Sequence, residues 1–253
     1  MTNGRAAFAG RCAVVTGAAH GIGEAIARRL IDAGANVIVL DRDADRLARG
    51  FEGVACTQVV AEVGAVDPQA LANRLLSDHG PIEIIVNNVS AWTGRRVLQE
   101  QNDESLVSAF RTNLHDPMFL TKRLVETLIK LRLRGCVLFV SSLHDHYVRL
   151  YPSYSVAKAG IAMLIKEMAY EFAPYGVRVN GISPGWIETA KPGEATIAEQ
   201  SAVGLIPMGR FGEPDDLGRM ALTLLDDDWS SYVTGTNVVV DGGLSLHNWL
   251  MDV

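Results

Sequence analysis

Short apolar runs alternate with amphipathic stretches along this chain, and that alternation restricts the fold more than any other feature. The apolar runs are CAVVT, NVIVL, CTQVV, IEIIVNN, CVLFVSS, VRVNGIS and TNVVV. Apolar residues at helical spacing lie between them, for example over 68–77, 153–172 and from about Asp215 onward. Near-continuous apolar strands separated by helices are typical of a parallel sheet that is covered by helices on both faces. We therefore predict a doubly wound α/β fold.

The composition restricts the class of protein and its partners. A chain of 253 residues with 48% hydrophobic content is long enough for one large domain, which we place at 1–253. The formal net charge of -6 argues against nucleic-acid binding, because clustered Lys and Arg hold phosphate backbones. Apolar runs stay well short of 18 residues, so we expect no membrane partner. An odd count of three cysteines favours a reducing compartment, and we expect a cytoplasmic protein.

Three glycines follow the first apolar run within the stretch TGAAHGIG, which runs from Thr16 to Gly23. The stretch lies where a strand passes into a helix, and a helix N-terminus offers free N–H groups and a positive dipole end. Glycines at such a turn let a phosphate approach the backbone closely. The pattern predicts a pyrophosphate cradle. A tight turn that only packs the helix closely against the strand is the alternative.

An acidic residue ends the second apolar run, NVIVLD, 18 residues after Gly23. A carboxylate at this place in a dinucleotide-binding fold accepts hydrogen bonds from the adenosine ribose, and it would repel a 2′-phosphate. Asp41 therefore favours NAD over NADP. Its neighbour Arg42 supports the alternative, because a guanidinium can bind that phosphate.

Tyr154 and Lys158 are four residues apart at the start of a helical pattern, so they share one helix face. A tyrosine hydroxyl has an ordinary pKa near ~10 and is a poor base at neutral pH unless a nearby cation stabilises the phenolate. Lys158 is such a cation, and the pair predicts a general acid/base, with an exposed helix pair as the alternative. Ser141 and Ser142 follow the strand CVLFV at the same edge of the sheet, where a hydroxyl can hold a substrate oxygen.

Five motifs in chain order resemble those of the classical short-chain dehydrogenase/reductases. They are Thr16-Gly17-x-x-x-Gly21-Ile22-Gly23, Asn87-Asn88, the serine pair, Tyr154-x-x-x-Lys158 and Pro184-Gly185. The resemblance covers nearly the whole chain. It implies a single-domain Rossmann fold with a parallel sheet of about seven strands, and a nicotinamide cofactor, NAD or, as the alternative, NADP.

The resemblance also implies roles for individual residues. Ser142 would orient the reacting oxygen and Tyr154 would pass its proton. Lys158 would stabilise the phenolate and hold the nicotinamide ribose, and Asn113 would support a water relay. Ser142 precedes Tyr154 by one residue fewer than is common in the family, so Ser141 is the alternative serine. The implied cofactor contacts are Gly17, His20, Gly21, Ile22, Gly23, Asp41, Arg42, Glu62, Val63, Asn87, Tyr154, Lys158, Pro184, Gly185, Ile187 and Thr189.

Two places depart from the family pattern. Val89-Ser90 stands where Ala-Gly is usual, which adds bulk close to the expected cofactor contact. Glu62-Val63 is the nearest match to the Asp-Val that the family commonly places at the adenine. Both departures bear on the adenosine side of the implied cofactor site.

The loop after Ser142 carries the residues His144, Asp145, His146, Tyr147 and Arg149. They line a polar substrate pocket or form a solvated loop, and the sequence leaves both interpretations open. We expect no metal, because two histidines that flank an aspartate lack an identifiable third ligand. Loop polarity favours a sugar or polyol substrate. The segment 188–212, rich in Gly, Pro and small residues, is predicted to be a substrate loop.

The predicted activity is reversible hydride transfer between NAD(H) and a secondary alcohol or ketone. One alternative is an NADPH-dependent carbonyl reductase of the 3-oxoacyl type. Others are a non-catalytic NAD(P)-sensing protein of the same fold and a lyase or epimerase that keeps its NAD bound. Family members are usually oligomers, so we expect a homotetramer or homodimer built from the long helices of 103–132 and 153–172 and the last strand.

Overall fold

A parallel β-sheet forms the centre of the protein in the computed structural model, which describes residues 7–92, 97–188 and 203–246. Its strands in this part of the chain are β1 (Cys12–Thr16), β2 (Asn36–Asp41), β3 (Thr57–Val60), β4 (Ile84–Asn87), β5 (Gly135–Val140), β6 (Val177–Pro184) and β7 (Asn237–Val240). Their order across the sheet is β3-β2-β1-β4-β5-β6-β7, and each neighbouring pair is parallel. The predicted doubly wound α/β fold is confirmed.

Helices connect the strands at the places that the apolar spacing predicts. They are α1 (Gly21–Asp32), α2 (Ala44–Gly50), α3 (Pro68–His79), α4 (Asp103–Phe110), α5 (Asp116–Leu131), α6 (Pro152–Phe172), α7 (Pro214–Leu225) and α8 (Asp227–Ser230). The start of α3 shows how the sequence fixes these bounds. Asp67 accepts a hydrogen bond from the Ala70 N–H at 2.7 Å, and Pro68 occupies the first turn, where its missing N–H costs nothing.

Apolar side chains fill the space between the sheet and each layer of helices. One face is covered by α1 and α7, with the buried residues Ile26, Leu30, Leu217, Ala221 and Leu224. The other face is covered by α3, α5 and α6, with the buried residues Leu71, Leu75, Leu124, Leu128, Ile161 and Ile165. Because both faces are covered, the central strands are apolar on both sides, which explains their near-continuous apolar runs.

The strand order reverses between β1 and β4. The chain runs outward from β1 to β3 and then crosses back to β4. The carboxyl ends of these two strands border a crevice, which is where open sheets of this kind bind ligands. Within the described ranges, no helix is long and apolar enough to cross a membrane. The single-domain extent and the cytoplasmic localisation stay predictions.

Candidate active site

The turn between β1 and α1 has the backbone geometry of an anion cradle. Gly17 and Gly21 have φ angles of +64° and +62°, a region that glycine enters at no steric cost. A Cβ at Gly17 would lie 2.9 Å from Asn88 Nδ2, so a side chain there would also collide with its neighbour. The side chain of His20, at the N-cap of α1, makes no capping bond to any described residue. The first N–H groups of α1 are therefore available to a phosphate.

Hydrogen bonds of the Thr16 and Asn88 side chains hold this turn against β4. Thr16 Oγ1 donates to the Val86 carbonyl at 3.2 Å, and Asn88 Nδ2 donates to the carbonyls of Thr16 and Gly17 at 3.1 and 2.9 Å. The side chain of Asn87 turns the other way and donates to Thr121 at 2.7 Å in the protein interior. The side chain of Asn87 therefore points away from the crevice, whereas Asn88 borders it. The cofactor contact of Asn87 stays a prediction.

A cavity of about 610 Å³ opens beside the glycine turn. The predicted contacts that line it are Gly17, His20, Gly21, Ile22, Asp41, Arg42, Glu62 and Val63. Asp41 is fixed at its rim, since Oδ2 accepts from the Ala19 N–H at 3.1 Å and Oδ1 from the Asp43 N–H at 3.0 Å. Arg42 forms an ion pair with Glu62 at 2.9 Å. The rim thus presents a fixed carboxylate beside a guanidinium that already has a partner.

A second cavity of about 870 Å³ continues from the first, because Ile22, Asn88, Ser90 and Trp92 line both. It brings together the predicted residues Ser141, Ser142, Tyr154, Lys158, Pro184, Gly185 and Ile187. The ends of the predicted substrate loop meet at its edge. The Gly212 N–H donates to Trp186 O at 3.0 Å, and the Glu188 N–H donates to Gly212 O at 2.8 Å. Thr189 lies outside the described residues.

Tyr154 and Lys158 are buried on the inner face of α6, 8% and 2% exposed. Lys158 Nζ donates to the Val140 carbonyl at 2.8 Å and lies 5.5 Å from the centre of the Tyr154 ring. Lys158 makes no ion pair with any described carboxylate, so its charge acts on the ring beside it. The Tyr154 hydroxyl makes no hydrogen bond to a described residue. It is therefore available to a molecule in the cavity.

The two serines after β5 have different surroundings. Ser142 Oγ accepts a hydrogen bond from the His144 N–H at 3.3 Å and borders the cavity. Ser141 is buried, and its hydroxyl donates to the Asp145 carboxylate at 3.2 Å. Because Ser141 uses its proton inside the protein, the geometry favours Ser142 as the serine that orients a substrate oxygen.

The Asp145 carboxylate, 3% exposed, lies beneath the cavity and ties the serine loop to the sheet. Its Oδ2 accepts hydrogen bonds from Ser141, Ser183 and Asn237 at 3.2, 2.8 and 2.7 Å. Its Oδ1 pairs with His146 Nδ1. Within this loop, Asp145 is therefore buried and holds the loop to the sheet, whereas His144 and Arg149 line the cavity. Residues 7–92, 97–188 and 203–246 hold no group of three or more His, Cys, Asp or Glu that could bind a metal ion.

Asn113 is buried in a π turn, Arg111–His115, that separates α4 from α5. Its Nδ2 donates to the carbonyls of Ala91 and Ala109 at 3.0 and 2.9 Å, and its Oδ1 accepts from the Ala91 N–H at 2.9 Å and from Ser90 Oγ at 3.1 Å. The side chain thus fixes the loop after β4, which forms a wall of the cleft. Ser90, which replaces the usual glycine, contributes one of these bonds. The water relay at Asn113 stays a prediction.

Three rings surround Tyr154: His144 of the loop after Ser142, and Trp92 and Tyr151, which no motif singled out. The Trp92 ring lies 5.0 Å from the Tyr154 ring and 4.2 Å from the Tyr151 ring, measured between centroids. The His144 ring lies 5.1 Å from the Tyr154 ring. The sequence could have indicated Trp92 and Tyr151 only through their closeness to the motifs: Trp92 lies four residues after Asn88, and Tyr151 lies three residues before Tyr154. These rings shape the wall of the cavity next to the Tyr154 hydroxyl.

Burial lowers the pKa of His144 to about 4, with the charges of Arg149 and Lys158 acting in the same direction and the Asp145 carboxylate opposing them. Its Nδ1 lies 3.2 Å from Ser155 Oγ. The imidazole is therefore neutral at physiological pH, so it adds no further positive charge beside Tyr154.

The low pKa of His144 predicts a specific loss of stability in acid. Between the ordinary histidine value of 6.5 and about 4, the unfolded chain binds a proton that the folded chain does not. Folding stability therefore falls as the pH drops through this window. We expect the thermal midpoint of the wild type to fall further between pH 7 and pH 4.5 than that of His144→Asn, which keeps a polar atom near Ser155. If the thermal midpoints of the wild type and His144→Asn fell by the same amount, the result would contradict the burial of a neutral imidazole at His144.

Comparison with known proteins points to one family. The family model described as enoyl-(acyl carrier protein) reductase matches residues 17–245. Oxidoreductase UcpA from Salmonella typhimurium is 35% identical over 255 residues, which cover 94% of this chain and 95% of that protein. A short-chain type dehydrogenase/reductase structure from Mycobacterium marinum, 28% identical, has a TM-score of 0.84 and covers 94% of this chain and 96% of that one. A putative 2-deoxy-d-gluconate 3-dehydrogenase from Agrobacterium tumefaciens with bound NADP, 32% identical, has a TM-score of 0.85 and covers 97% and 100%.

Proposed function

Because this chain belongs to the short-chain dehydrogenase/reductase family of oxidoreductases, we propose that it catalyses reversible hydride transfer between NAD(H) and a secondary alcohol or ketone. The observation that carries the proposal is the buried Tyr154 hydroxyl. It has no hydrogen-bond partner among the described residues, it lies next to Lys158, and it borders the same cavity as Ser142. The experiment that tests it is a cofactor-reduction assay with a panel of secondary alcohols.

The residues of the cleft fit a dinucleotide. The glycine turn leaves backbone room and free N–H groups for a pyrophosphate, and Asp41 stands at the rim for an adenosine ribose. Lys158 would hold the nicotinamide ribose, and Pro184, Gly185, Ile187 and Thr189 would contact the nicotinamide. The bound cofactor supplies or accepts the hydride.

The protein's own groups move and stabilise the proton. Tyr154 would donate its hydroxyl proton to a carbonyl oxygen during reduction and take a proton from a hydroxyl during oxidation. Ser142 would hold that oxygen in place through its own hydroxyl. Lys158 would stabilise the negative charge that forms on the Tyr154 oxygen, because the two side chains are held together on one helix face. Asn113 would support the return of protons through a water relay.

NAD is the proposed cofactor, with NADP as the alternative. The Asp41 carboxylate is held at the rim of the cavity beside the glycine turn, where an adenosine ribose would lie. The guanidinium of its neighbour Arg42 is paired with Glu62. A 2′-phosphate would lie next to a fixed negative charge, which is unfavourable. The bound NADP of the Agrobacterium tumefaciens structure keeps the alternative open.

Removing the Asp41 charge is expected to admit NADP. In Asp41→Asn the side chain keeps one oxygen for its backbone partners but loses its negative charge. We expect the kcat/KM ratio of NADP to NAD to rise about tenfold or more, which corresponds to ~1.4 kcal/mol. Initial rates with both cofactors measure this, and Asp45→Asn on the exposed start of α2 is the matched control. An unchanged ratio in Asp41→Asn would mean that the carboxylate does not face the ribose.

A hydroxyl-rich small molecule is the proposed substrate. The cavity wall carries the polar groups of Ser142 and His144, and the Agrobacterium tumefaciens structure is described as a putative 2-deoxy-d-gluconate 3-dehydrogenase. The alternative is an NADPH-dependent reductase of the 3-oxoacyl type, which the description of the matching family model favours. Preferred turnover of acyl ketones with NADPH over sugars or polyols with NAD would select that alternative.

A homo-oligomer, tetramer or dimer, is the proposed assembly. Val156, Met163 and Tyr170 recur every seven residues along α6 and are 55%, 54% and 88% exposed. Side chains at that spacing lie along one face of a helix. The neighbouring helix α4 adds exposed Val107. Exposed apolar side chains along one helix face are suited to packing against a second copy of the chain, and Lys166 and Glu167 lie among them.

A further inference from the structure

Arg149 lines the catalytic cavity but has no part in the proposed proton chemistry. It lies in the exposed loop between Asp145 and α6. It forms no hydrogen bond or ion pair with any residue that the structure describes. Other arginines of the chain do have acidic partners: Arg29 pairs with Asp215, Arg178 with Asp227, and Arg210 with Asp216. Arg149 thus presents to the cavity a guanidinium that no described carboxylate neutralises.

The charged side chains that line this cavity have one sign among the described residues, and the Asp145 carboxylate beneath it is already paired with His146. Its described lining includes two cations, Arg149 and Lys158, and neither Asp nor Glu, although the whole chain has a formal net charge of -6. The Arg149 charge reaches the inner wall, because it helps to lower the pKa of His144. A cleft with charges of one sign concentrates ligands of the opposite sign. An anion is therefore the complementary ligand.

The cofactor does not account for this guanidinium. Its phosphates belong at the glycine turn, and the cavity there is lined by His20 and Asp41 rather than by Arg149 among the described residues. Lys158 is 2% exposed and is held by the Val140 carbonyl, so it is committed to the reacting pair. Arg149 is the remaining cation, and it is exposed on the substrate side of the cleft.

Two indole rings flank the same space. Trp92 and Trp186 are 53% and 38% exposed and both line the cavity, and Trp186 is supported from behind by Phe211 at a ring-centroid distance of 5.2 Å. Partly exposed indole rings offer flat apolar surfaces to a carbon chain or to the C–H face of a sugar. Among the residues that the structure describes, the cavity thus combines these apolar walls with the guanidinium of Arg149.

We propose that Arg149 binds an anionic group of the substrate, a carboxylate or a phosphate, and that the enzyme therefore acts on anionic hydroxy or keto compounds. A guanidinium holds either group through paired N–H donors. The substrate carbon chain lies along Trp92 and Trp186, which places the reacting oxygen at Ser142 and Tyr154. This inference rests on the proposed dehydrogenase function and names the substrate class of that site.

Matched substrates test the proposal. Rates are measured with a polyol, with the aldonic acid of the same carbon chain and with the corresponding polyol phosphate, for the wild type, Arg149→Met and the control Arg74→Met. Arg74 is exposed on α3, away from the cleft. We expect the wild type to prefer one of the two anions over the polyol. We also expect Arg149→Met to raise the KM for that anion about 10- to 100-fold, as the loss of a charged hydrogen bond predicts, with kcat and polyol kinetics nearly unchanged.

Binding is measured in parallel because it does not depend on turnover. Tryptophan fluorescence of the cofactor-loaded protein is titrated with the same aldonic acid and the same phosphate. The proposal is supported if the wild type and Arg74→Met bind either compound and Arg149→Met binds it more weakly. This result supports the anion site even if no compound is turned over. A complete lack of turnover would count against the dehydrogenase function instead. Comparison of the aldonic acid with the phosphate also shows whether Arg149 binds a carboxylate or a phosphate. Equal anion binding and kinetics in wild type and Arg149→Met, or a wild-type preference for the neutral polyol, would overturn it.

Discussion

The Tyr154→Phe variant is expected to lose turnover while keeping its cofactor and its fold. The phenylalanine ring retains the contacts with Trp92 and His144, and only the hydroxyl is removed. That hydroxyl makes no hydrogen bond to a described residue, so its loss leaves no buried partner unsatisfied. We expect kcat to fall about 10²- to 10⁴-fold, the usual contribution of a positioned general acid/base.

Three measurements check this result. Steady-state rates give kcat, cofactor titration gives Kd, and thermal unfolding gives the midpoint. The matched control is Tyr232→Phe, which removes a hydroxyl from a fully exposed tyrosine that lines neither cavity of the cleft. Tyr232→Phe should keep wild-type activity. If Tyr154→Phe kept more than a tenth of the wild-type rate, Tyr154 would not be the proton donor.

Replacing Lys158 with Met is expected to impair both turnover and cofactor binding. Methionine fills similar space but lacks the charge that stabilises the Tyr154 phenolate, so kcat should fall about 10²-fold or more. The proposed contact with the nicotinamide ribose is lost as well, so the cofactor Kd should rise about tenfold. The combined loss distinguishes Lys158→Met from Tyr154→Phe, in which binding remains.

Stability measurements separate this role from a structural one. Lys158 is almost fully buried without a described carboxylate partner, and burying such a charge is unfavourable. We expect Lys158→Met to unfold at the same temperature as the wild type or at a higher one. Lys166→Met, an exposed lysine on the same helix, is the control and should change nothing. A markedly lower melting temperature with intact cofactor affinity would assign Lys158 to the fold instead.

The local parts of the site were predictable from the sequence because short-range rules set them. The glycine turn follows from the need for positive φ and close backbone approach after an apolar strand. The Tyr154 and Lys158 pairing follows from helical spacing. The alternation of apolar runs with amphipathic stretches likewise predicts the parallel sheet, because strands that are buried on both faces need apolar residues throughout.

The long-range parts were not predictable, because they depend on where distant segments meet. Asp145 contacts Asn237, 92 residues further along the chain, and no local pattern indicates that contact. The direction in which Asn87 and Asn88 point depends on the register of β4 against β1, which the sequence does not display. The rings of Trp92 and Tyr154 come from segments far apart in the chain, and Asn113 holds the loop after β4 that carries Trp92.

The cofactor-reduction assay tests the central claim most directly. The purified protein is given NAD or NADP with sugars, polyols, sugar acids, hydroxysteroids and simple secondary alcohols, at neutral and mildly alkaline pH, and the absorbance of reduced nicotinamide is followed. We expect absorbance to grow with NAD and at least one of these alcohols, and to stay flat in Tyr154→Phe. No absorbance change with either cofactor, although the protein binds one tightly, would contradict hydride transfer and favour a cofactor sensor or an enzyme that keeps its NAD bound.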